Sequence, residues 1–279
     1  MRRLLLVAGV AALAVAVRCE RAEARSVTIK GSDTMVILAQ RWIEVYGRSH
    51  PAETIELTGG GSVTGIAALL NGTTDLAASS VRLADGETAR AEAHAGRRLR
   101  EIPVAWDVLS IYVHPSNPVD ALSLSQLRDI LVGRLRRWSD VGGADAPIAI
   151  YGRESTSGSL RFLRQAVLGD EELAENVESL PGTGTVADNV ARDPNGIGYG
   201  GIAYAHRVKH LAIRKADGAP AVEPSAATAR NGDYRLARRL YLYGFEPLPR
   251  EAESFVAWAL GDEGQRVVSE VGYFPVGGP

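Results

Sequence analysis

The chain opens with one long apolar run, whereas apolar residues farther along come in short alternating or helically spaced groups. Residues 4–17 are apolar without interruption and follow two arginines. This run is shorter than the roughly 20 apolar residues of a membrane-spanning helix, and the pattern predicts a secretory signal peptide. Ala22-Glu23-Ala24 matches the small-residue cleavage pattern. We therefore predict that residues 1–24 are removed and that the mature chain begins at Arg25.

Two other interpretations of this leader stay open. An uncleaved leader would act as a membrane anchor. Lipidation would make Cys19, the only cysteine, the modified N-terminus, although Arg18 directly before it disfavours that processing. With cleavage after Ala24 the mature chain has no thiol, and therefore neither a disulfide nor a cysteine metal site.

Beyond the leader, strand-like and helix-like patterns alternate. Short strands are predicted at 27–29, 54–57 and 75–78, and helices with 3.6-residue apolar spacing at 35–46 and 65–70. Alternation of this kind predicts an α/β domain with a mainly parallel sheet. In such sheets ligands bind beyond the carboxyl ends of the strands, where the connecting turns lie.

The pattern continues through the second half of the chain. We predict strands at 102–113, 148–151, 211–214 and 239–243, and helices at 87–100, 124–131, 160–167 and 254–271. The glycine-rich residues 197–201 are interpreted as backbone that passes close to a packed neighbour. Residues 216–229, which are rich in Ala, Pro and Ser, are predicted to form a loop.

Three segments of glycine and hydroxyl residues come directly before predicted helices: GSDTM at 31–35, GGGSVTGI at 59–66 and RESTSGSL at 153–160. A helix start exposes unpaired N–H groups and the positive end of the helix dipole. Glycines let an anion approach this backbone, and hydroxyls add neutral donors. One such segment is explained by ordinary N-capping. Three of them predict a tetrahedral oxyanion held between converging helix ends, and TGT at 183–185 would add a fourth group of donors.

Arg153 stands at the head of the third segment. Its guanidinium can bind two oxygens of a phosphate through charge-assisted hydrogen bonds. The alternative is a surface arginine that pairs with Glu154 or another nearby acid. Ser157-Gly158-Ser159, which follows closely, favours the binding site.

Charge excludes one class of partner. The whole chain has a net charge of −2, and removal of the leader, which carries +2, leaves −4. Nucleic-acid recognition starts from a basic face, so we predict no nucleic-acid partner. Local donors rather than the global field must then bind any anion. The 255 residues that remain after cleavage allow one large domain or two smaller ones.

Other chemistry has little support in the sequence. The glycines at 59–61 lack the Gly-Lys-Ser/Thr ending of a nucleotide-binding loop. His206 and His210 stand four residues apart, but no Glu follows His206 in the metalloprotease pattern, and we predict neither a metal site nor a cofactor. There is no Gly-x-Ser-x-Gly elbow, and nothing indicates a catalytic Ser/His/Asp set.

Taken together, these segments resemble the periplasmic phosphate-binding proteins that deliver phosphate to ABC importers. GSDTM, GGGSVTGI, TTDLAASSVR, RESTSGSLRF, GIGYGGIAY and GDEGQRVVSEVGYFP occur in the order of that family, from residue 27 to about residue 275. The resemblance implies an α/β, two-lobed periplasmic-binding-protein fold of type II. Each lobe would be a mixed sheet flanked by helices, and two hinge strands would join them. Lobe one would comprise 25–106 and 239–279, and lobe two 107–238.

The resemblance also implies the residues that bind phosphate. The positions that match the motifs of the family are Thr34, Met35, Ser62, Arg153, Ser157, Gly158 and Ser159. We add Ser80, where the chain departs from the family, as a predicted ligand, and Asp33, Asp75 and Arg82 as further candidates. Many relatives have an aspartate at the position of Ser80, where it accepts the proton of hydrogen phosphate. Sulfate offers no such proton, so selectivity would depend on Ser80, Asp33 or Asp75 as the acceptor. Arg82 would instead strengthen the binding of any tetrahedral anion.

We therefore expect a periplasmic, monomeric substrate-binding protein that is not an enzyme. It would capture inorganic phosphate between its lobes and deliver it to the permease subunits of an ABC transporter. Three alternatives stay open: a phosphatase or other phosphoester hydrolase that uses the same pocket, a binding protein for another oxyanion such as sulfate, and a structural or adhesive surface protein that kept the fold.

Overall fold

The computed structural model describes residues 26–277, and the predicted leader, its cleavage site and Cys19 lie outside this part of the chain. The strands are β1 (Val27–Gly31), β2 (Ile55–Thr58), β3 (Leu76–Ser79), β4 (Leu99–Val113), β5 (Ala121–Ser123), β6 (Ala149–Arg153), β7 (Glu178–Leu180), β8 (Gly196–Gly201), β9 (Lys209–His210), β10 (Ala212–Arg214), β11 (Ala221–Val222) and β12 (Ala237–Phe245). The α-helices are α1 (Val36–Ser49), α2 (Ser62–Leu70), α3 (Asp85–Ala95), α4 (Leu124–Leu131), α5 (Gly158–Leu163), α6 (Thr183–Val190), α7 (Ala226–Arg230), α8 (Arg250–Leu260) and α9 (Asp262–Val271).

The main sheet is mixed. Its strands follow the order β2-β1-β3-β12-β4-β8-β6-β7, and β9 also pairs with β4. β1, β2 and β3 are parallel to one another, as are β6, β7 and β8. In the centre, β12 is antiparallel to β3 and β4, and β4 is antiparallel to β8. The alternation of strands and helices correctly predicts the parallel ends of the sheet, but it fails at the two long central strands.

The two largest hydrophobic cores both include residues of these central strands. Along β4, Ala105 packs in one core and Val108 in the other. Along β12, Leu240 belongs to the first core, while Leu236, just before the strand, belongs to the second. The lobe boundaries predicted from the sequence, 106/107 and 238/239, lie within these intervals and stay a prediction. Lobe one and lobe two are the names used for the residues on either side of them.

Four predicted elements differ from the observed ones. The helix predicted at 160–167 is α-helical only to Leu163 and continues as a π-helix over Arg164–Leu168. The helix predicted at 87–100 ends at Ala95, because Gly96 adopts a left-handed conformation with φ of 61° and the chain then enters β4. The closing helix predicted at 254–271 is two helices, α8 and α9, which are separated at Gly261. The loop predicted at 216–229 contains β11 and the start of α7, whose N-cap Ser225 accepts a hydrogen bond from the Thr228 backbone N–H.

Among the helices of residues 26–277, none combines the length and the apolar character that a membrane span requires.

Candidate anion-binding site

The three predicted loops leave the sheet at strand ends that lie side by side. β1 and β3 pair in parallel with Gly31 opposite Ala78, so the turn at Asp33 and the residues after Ser79 emerge at one edge. On lobe two, β6 ends at Arg153, and the chain then passes into α5. Carboxyl ends of parallel strands are the expected position for a ligand site in such sheets.

A cluster of buried hydroxyls joins the two lobes. Thr34 Oγ1 of lobe one lies 3.0 Å from Ser159 Oγ and 3.5 Å from Thr183 Oγ1, which both belong to lobe two. All three side chains are buried. Thr183 is the first residue of α6, so the fourth donor segment predicted from the sequence also reaches the cluster.

Arg153 is buried beside this cluster and is not a surface residue. Its Nη1 donates to Thr183 Oγ1 at 2.8 Å, and its Nη2 donates to Asp33 Oδ2 at 2.6 Å. Its Nε donates to the Leu180 carbonyl oxygen at 3.3 Å. The ion pair with Asp33 crosses from lobe two to lobe one, and no contact with Glu154 is needed to explain the burial of the guanidinium.

The second glycine-hydroxyl segment meets the third. The Ser80 N–H donates to Ser62 Oγ at 3.1 Å, and the two serine oxygens lie 3.5 Å apart. Gly158 of lobe two lies against both: a Cβ at Gly158 would be 2.2 Å from Ser62 Oγ and 2.6 Å from Ser80 Oγ. Close by, the Val63 N–H donates to the Thr156 carbonyl at 3.1 Å, so backbone also contacts backbone between the lobes.

Two of the predicted ligands have local partners. Ser157 is the N-cap of α5 and accepts a hydrogen bond from the Leu160 N–H at 3.3 Å. The Met35 N–H donates to the Ser32 carbonyl at 2.9 Å, and the Met35 side chain is buried in the core of lobe one. Ordinary capping and turn formation therefore account for these positions.

Of the three further candidate ligands, only one lies at the site. Asp33 lies at the site, where its Oδ1 accepts the Gly60 N–H at 2.8 Å and its Oδ2 accepts Arg153. Asp75 is not brought to the site. Its carboxylate lies at the opposite end of β3, where it accepts hydrogen bonds from the Thr28 N–H and hydroxyl. Asp75 stands five residues before Ser80, which separates the two residues by about 16 Å along an extended strand. Arg82 is also outside the site.

The side chain of Arg82 is 56% exposed and pairs with two acids of its own lobe. Its Nε donates to Glu101 and its Nη1 to Asp85, each at 3.0 Å. Both acids compete with any anion for the guanidinium, and exposure to water weakens each of these pairs.

The sequence prediction missed one buried ion pair at the site. Asp107 of β4 and Arg238 of β12 stand directly opposite each other in the antiparallel register. Nε of Arg238 donates to Asp107 Oδ2 at 2.9 Å, and Nη2 lies 2.8 Å from the same oxygen. Nη2 also donates to Ser159 Oγ at 3.0 Å. One signal was available in the sequence, since each strand carries a charged residue at a position that its apolar pattern predicts to be buried, where a charge requires a partner.

The site can donate hydrogen bonds to an anion, but the site itself has no large net positive charge. Burial raises the pKa of the Asp107 carboxyl, and the Arg238 guanidinium opposes that rise. Burial likewise raises the pKa of Tyr199 to about 12, and its hydroxyl oxygen accepts the Arg153 N–H at 3.1 Å. Each buried arginine is matched by one carboxylate, so donor groups rather than excess charge would hold an anion here.

The arginines also fix the direction of two hydroxyls. A guanidinium has only donors, whereas a hydroxyl has one proton and two acceptor positions. Ser159 Oγ must therefore accept from Arg238, and Thr183 Oγ1 must accept from Arg153. The proton of each hydroxyl is then left for another oxygen, and the arrangement suits a small anion that only accepts hydrogen bonds.

In the described part of the chain, no three His, Cys, Asp or Glu side chains come together in a way that could hold a metal ion.

Comparison with known proteins identifies the family of the chain. A profile for the PBP superfamily domain matches residues 17–263. The chain therefore belongs to the PBP superfamily.

Within the PBP superfamily, the chain is similar to phosphate-binding proteins. The phosphate-binding protein PstS of Pseudomonas aeruginosa is 36% identical over 264 residues, which cover 88% of this chain and 81% of the relative. PstS of Bacillus subtilis is 27% identical, over 90% of this chain and 81% of its own length. The sequence resemblance to the phosphate-binding proteins of ABC transporters is thus confirmed.

Solved structures agree with the fold. A putative phosphate ABC transporter substrate-binding protein from Clostridium perfringens, solved with bound phosphate, superposes with a TM-score of 0.82 at 29% identity over 91% of this chain and all of that one. An ABC-type phosphate transport receptor from Vibrio cholerae gives a TM-score of 0.71 at 25% identity, over 89% and 99% of the two chains. The two-lobed α/β fold of type II predicted from the resemblance is confirmed.

Proposed function

We propose that this protein captures inorganic phosphate between its two lobes and delivers it to the permease subunits of an ABC importer. The observation that carries the proposal is the contact of Thr34 on lobe one with Ser159 on lobe two, beside the buried guanidinium of Arg153. Phosphate-binding relatives that align with most of the chain support the same ligand.

The proposed ligands are polar groups from both lobes, most of which donate hydrogen bonds to the anion. They are the hydroxyls of Thr34, Ser62, Ser80, Ser159 and Thr183, and the guanidinium of Arg153. Gly158 provides the space in which these groups approach one another, and Ser157 holds the start of α5.

These donors are sufficient for tight binding. A micromolar dissociation constant needs about −8 kcal/mol. Hydrogen bonds to a charged group contribute ~1.5–3 kcal/mol each, from which the costs of ordering and desolvation are subtracted. Because the donors come from both lobes, binding favours the closed arrangement, with β4 and β12 as the hinge strands.

Selectivity is proposed to rest on Ser80. Both oxygens of Asp33 already accept N–H groups, and Oδ2 of Asp107 accepts Arg238. Ser62 Oγ accepts the Ser80 N–H. The Ser80 hydroxyl is therefore the group best placed to accept the proton of hydrogen phosphate.

Location and assembly follow from the same function. We propose that residues 1–24 direct the protein to the periplasm and that the mature chain acts as a monomer. Mass spectrometry of the protein purified separately from the periplasmic extract and from the membrane fraction tests the cleavage before Arg25, and the membrane fraction would reveal a lipid on Cys19.

Isothermal titration calorimetry and a thermal-shift panel on the mature chain test the ligand. We expect phosphate to bind with micromolar or better affinity and to raise the melting temperature, since a ligand that binds only the folded state stabilises it. Sulfate, molybdate and arsenate are run in parallel. A protein whose melting temperature responds to none of the four anions would overturn the proposal and favour a structural role. A preference for sulfate would replace phosphate by another oxyanion.

A further inference from the structure

The buried pair of Asp107 and Arg238 lies where the two lobes join. Asp107 lies on β4 and Arg238 on β12, at the point along both strands where one hydrophobic core gives way to the other. Asp107 is fixed in turn, because its Oδ1 accepts the Ile202 N–H at 3.0 Å. The pair is therefore anchored to the backbone of the molecule and not only to itself.

Arg238 extends from this anchor to the anion site. Its Nη2 donates to Ser159 Oγ at 3.0 Å, and its guanidinium carbon lies 5.5 Å from the centre of the Phe162 ring. Within residues 26–277, Nη1 of Arg238 is buried and has no hydrogen-bond partner. Stability alone does not explain this arrangement, since a buried ion pair generally adds no stability over an apolar pair of similar volume.

We propose that Arg238 is a positioning residue of the phosphate site: with Asp107 as its fixed counterion, it holds the Ser159 hydroxyl so that the hydroxyl proton is donated to the bound anion. This inference rests on the proposed function. Because Ser159 Oγ accepts from the guanidinium, the hydroxyl proton must point away from Arg238 and is available to an anion. The residue thus acts on the anion through Ser159.

A double-mutant cycle tests the link to Ser159. The pair is replaced without leaving a buried charge, as Asp107→Asn with Arg238→Met, in the wild-type and in the Ser159→Ala background. Phosphate affinity is measured by calorimetry for all four proteins. We expect the paired substitution to weaken binding at least fivefold in the wild-type background and less than twofold in the Ser159→Ala background, because the hydroxyl through which Arg238 acts is then absent.

The neighbouring residue provides the matched control. Arg239 lies next to Arg238 on β12 but is exposed and covers the Trp106 ring at 4.7 Å, so Arg239→Met should leave phosphate affinity unchanged. An equal loss of affinity in both Ser159 backgrounds, or no loss in the wild-type background, would overturn the proposal. Failure of the unmutated protein to bind any oxyanion would instead refute the proposed function.

A second variant covers the case in which the paired substitution does not fold. Arg238→Lys keeps a charge for Asp107, but an ammonium group lacks the planar fork that reaches the carboxylate and the hydroxyl together. We expect this variant to fold and to bind phosphate at least threefold more weakly. Wild-type affinity in Arg238→Lys would show that the guanidinium does not position Ser159.

Discussion

Gly158 and Ser62 approach so closely across the cleft that no side chain fits between them. A Cβ atom at Gly158 would lie 2.2 Å from Ser62 Oγ, a distance that real Cβ contacts do not show. Because the two residues belong to different lobes, this contact exists only when the lobes are together. Glycine at position 158 thus allows the two lobes to close, whereas neither lobe requires a glycine there in order to fold.

Gly158→Ala is therefore expected to lower phosphate affinity at least tenfold. The added methyl group must push Ser62 or Ser80 away, and the lobes then cannot reach the observed separation. Calorimetry measures the affinity, and thermal unfolding without phosphate should change little. Gly47→Ala on α1 is the control, since a Cβ there meets no atom within 4 Å. Wild-type affinity in Gly158→Ala would contradict the observed closeness of the lobes.

Arg153→Ala should also lower phosphate affinity at least tenfold. The substitution removes the buried guanidinium that donates to Thr183 and leaves Asp33 without its charged partner. Arg164→Ala serves as the comparison, because Arg164 belongs to the same lobe but its side chain is 42% exposed and pairs with Glu172. Unchanged affinity after Arg153→Ala, measured by calorimetry, would remove this residue from the site.

Local sequence patterns identified some of these residues but could not identify others. Arg153 and Ser159 were predicted because they lie within one short segment whose glycine and hydroxyl residues have a local physical meaning. Asp107 and Arg238 were missed because they are 131 residues apart and meet only through the register of β4 and β12. The residues near either position in the sequence do not indicate how β4 and β12 pair.

The position of Asp75 relative to β3 explains why this candidate ligand does not reach the site. Asp75 and Ser80 are close in sequence, but they stand at opposite ends of β3, and only one end faces the cleft. The closing helix was predicted as one element because its apolar spacing continues through Gly261. Packing of Gly264 against the Ala259 backbone, where a Cβ would lie 2.5 Å from the Cα, shows how closely the chain folds back at that break.

A second ion pair joins the lobes away from the hydroxyl cluster, between Glu87 of α3 and Arg161 of α5. Both side chains are partly buried, and the hydrogen bond from Arg161 is the main cause that lowers the pKa of the Glu87 carboxyl. The pair thus favours the closed form while Glu87 is ionised. Its contribution is fully present above the ordinary pKa of a glutamate and is lost as the pH falls through the lowered value.

Glu87→Gln is accordingly expected to weaken phosphate binding two- to fivefold at pH 7, which corresponds to ~0.5–1 kcal/mol for a partly exposed pair. The ratio of the two dissociation constants, each measured at the same pH, should approach one only when the pH falls below the lowered pKa of the Glu87 carboxyl. Comparing both proteins at one pH removes the effect of phosphate ionisation. Glu172→Gln, which alters a pair within lobe two, should have no effect. A ratio that does not depend on pH would mean that the pair does not couple to closure.

The Ser80 hydroxyl provides the test of selectivity. Ser80 is fully buried, its N–H donates to Ser62, and its oxygen lies beside Gly158. Ser80→Ala removes the proposed acceptor and should reduce the preference for phosphate over sulfate, whereas Ser80→Asp supplies a stronger acceptor and should increase it at least tenfold. The carboxylate repels fully ionised sulfate and can accept the proton of hydrogen phosphate. Competition calorimetry with both anions measures the ratio, and equal selectivity in the two variants would place the proton acceptor elsewhere in the cleft.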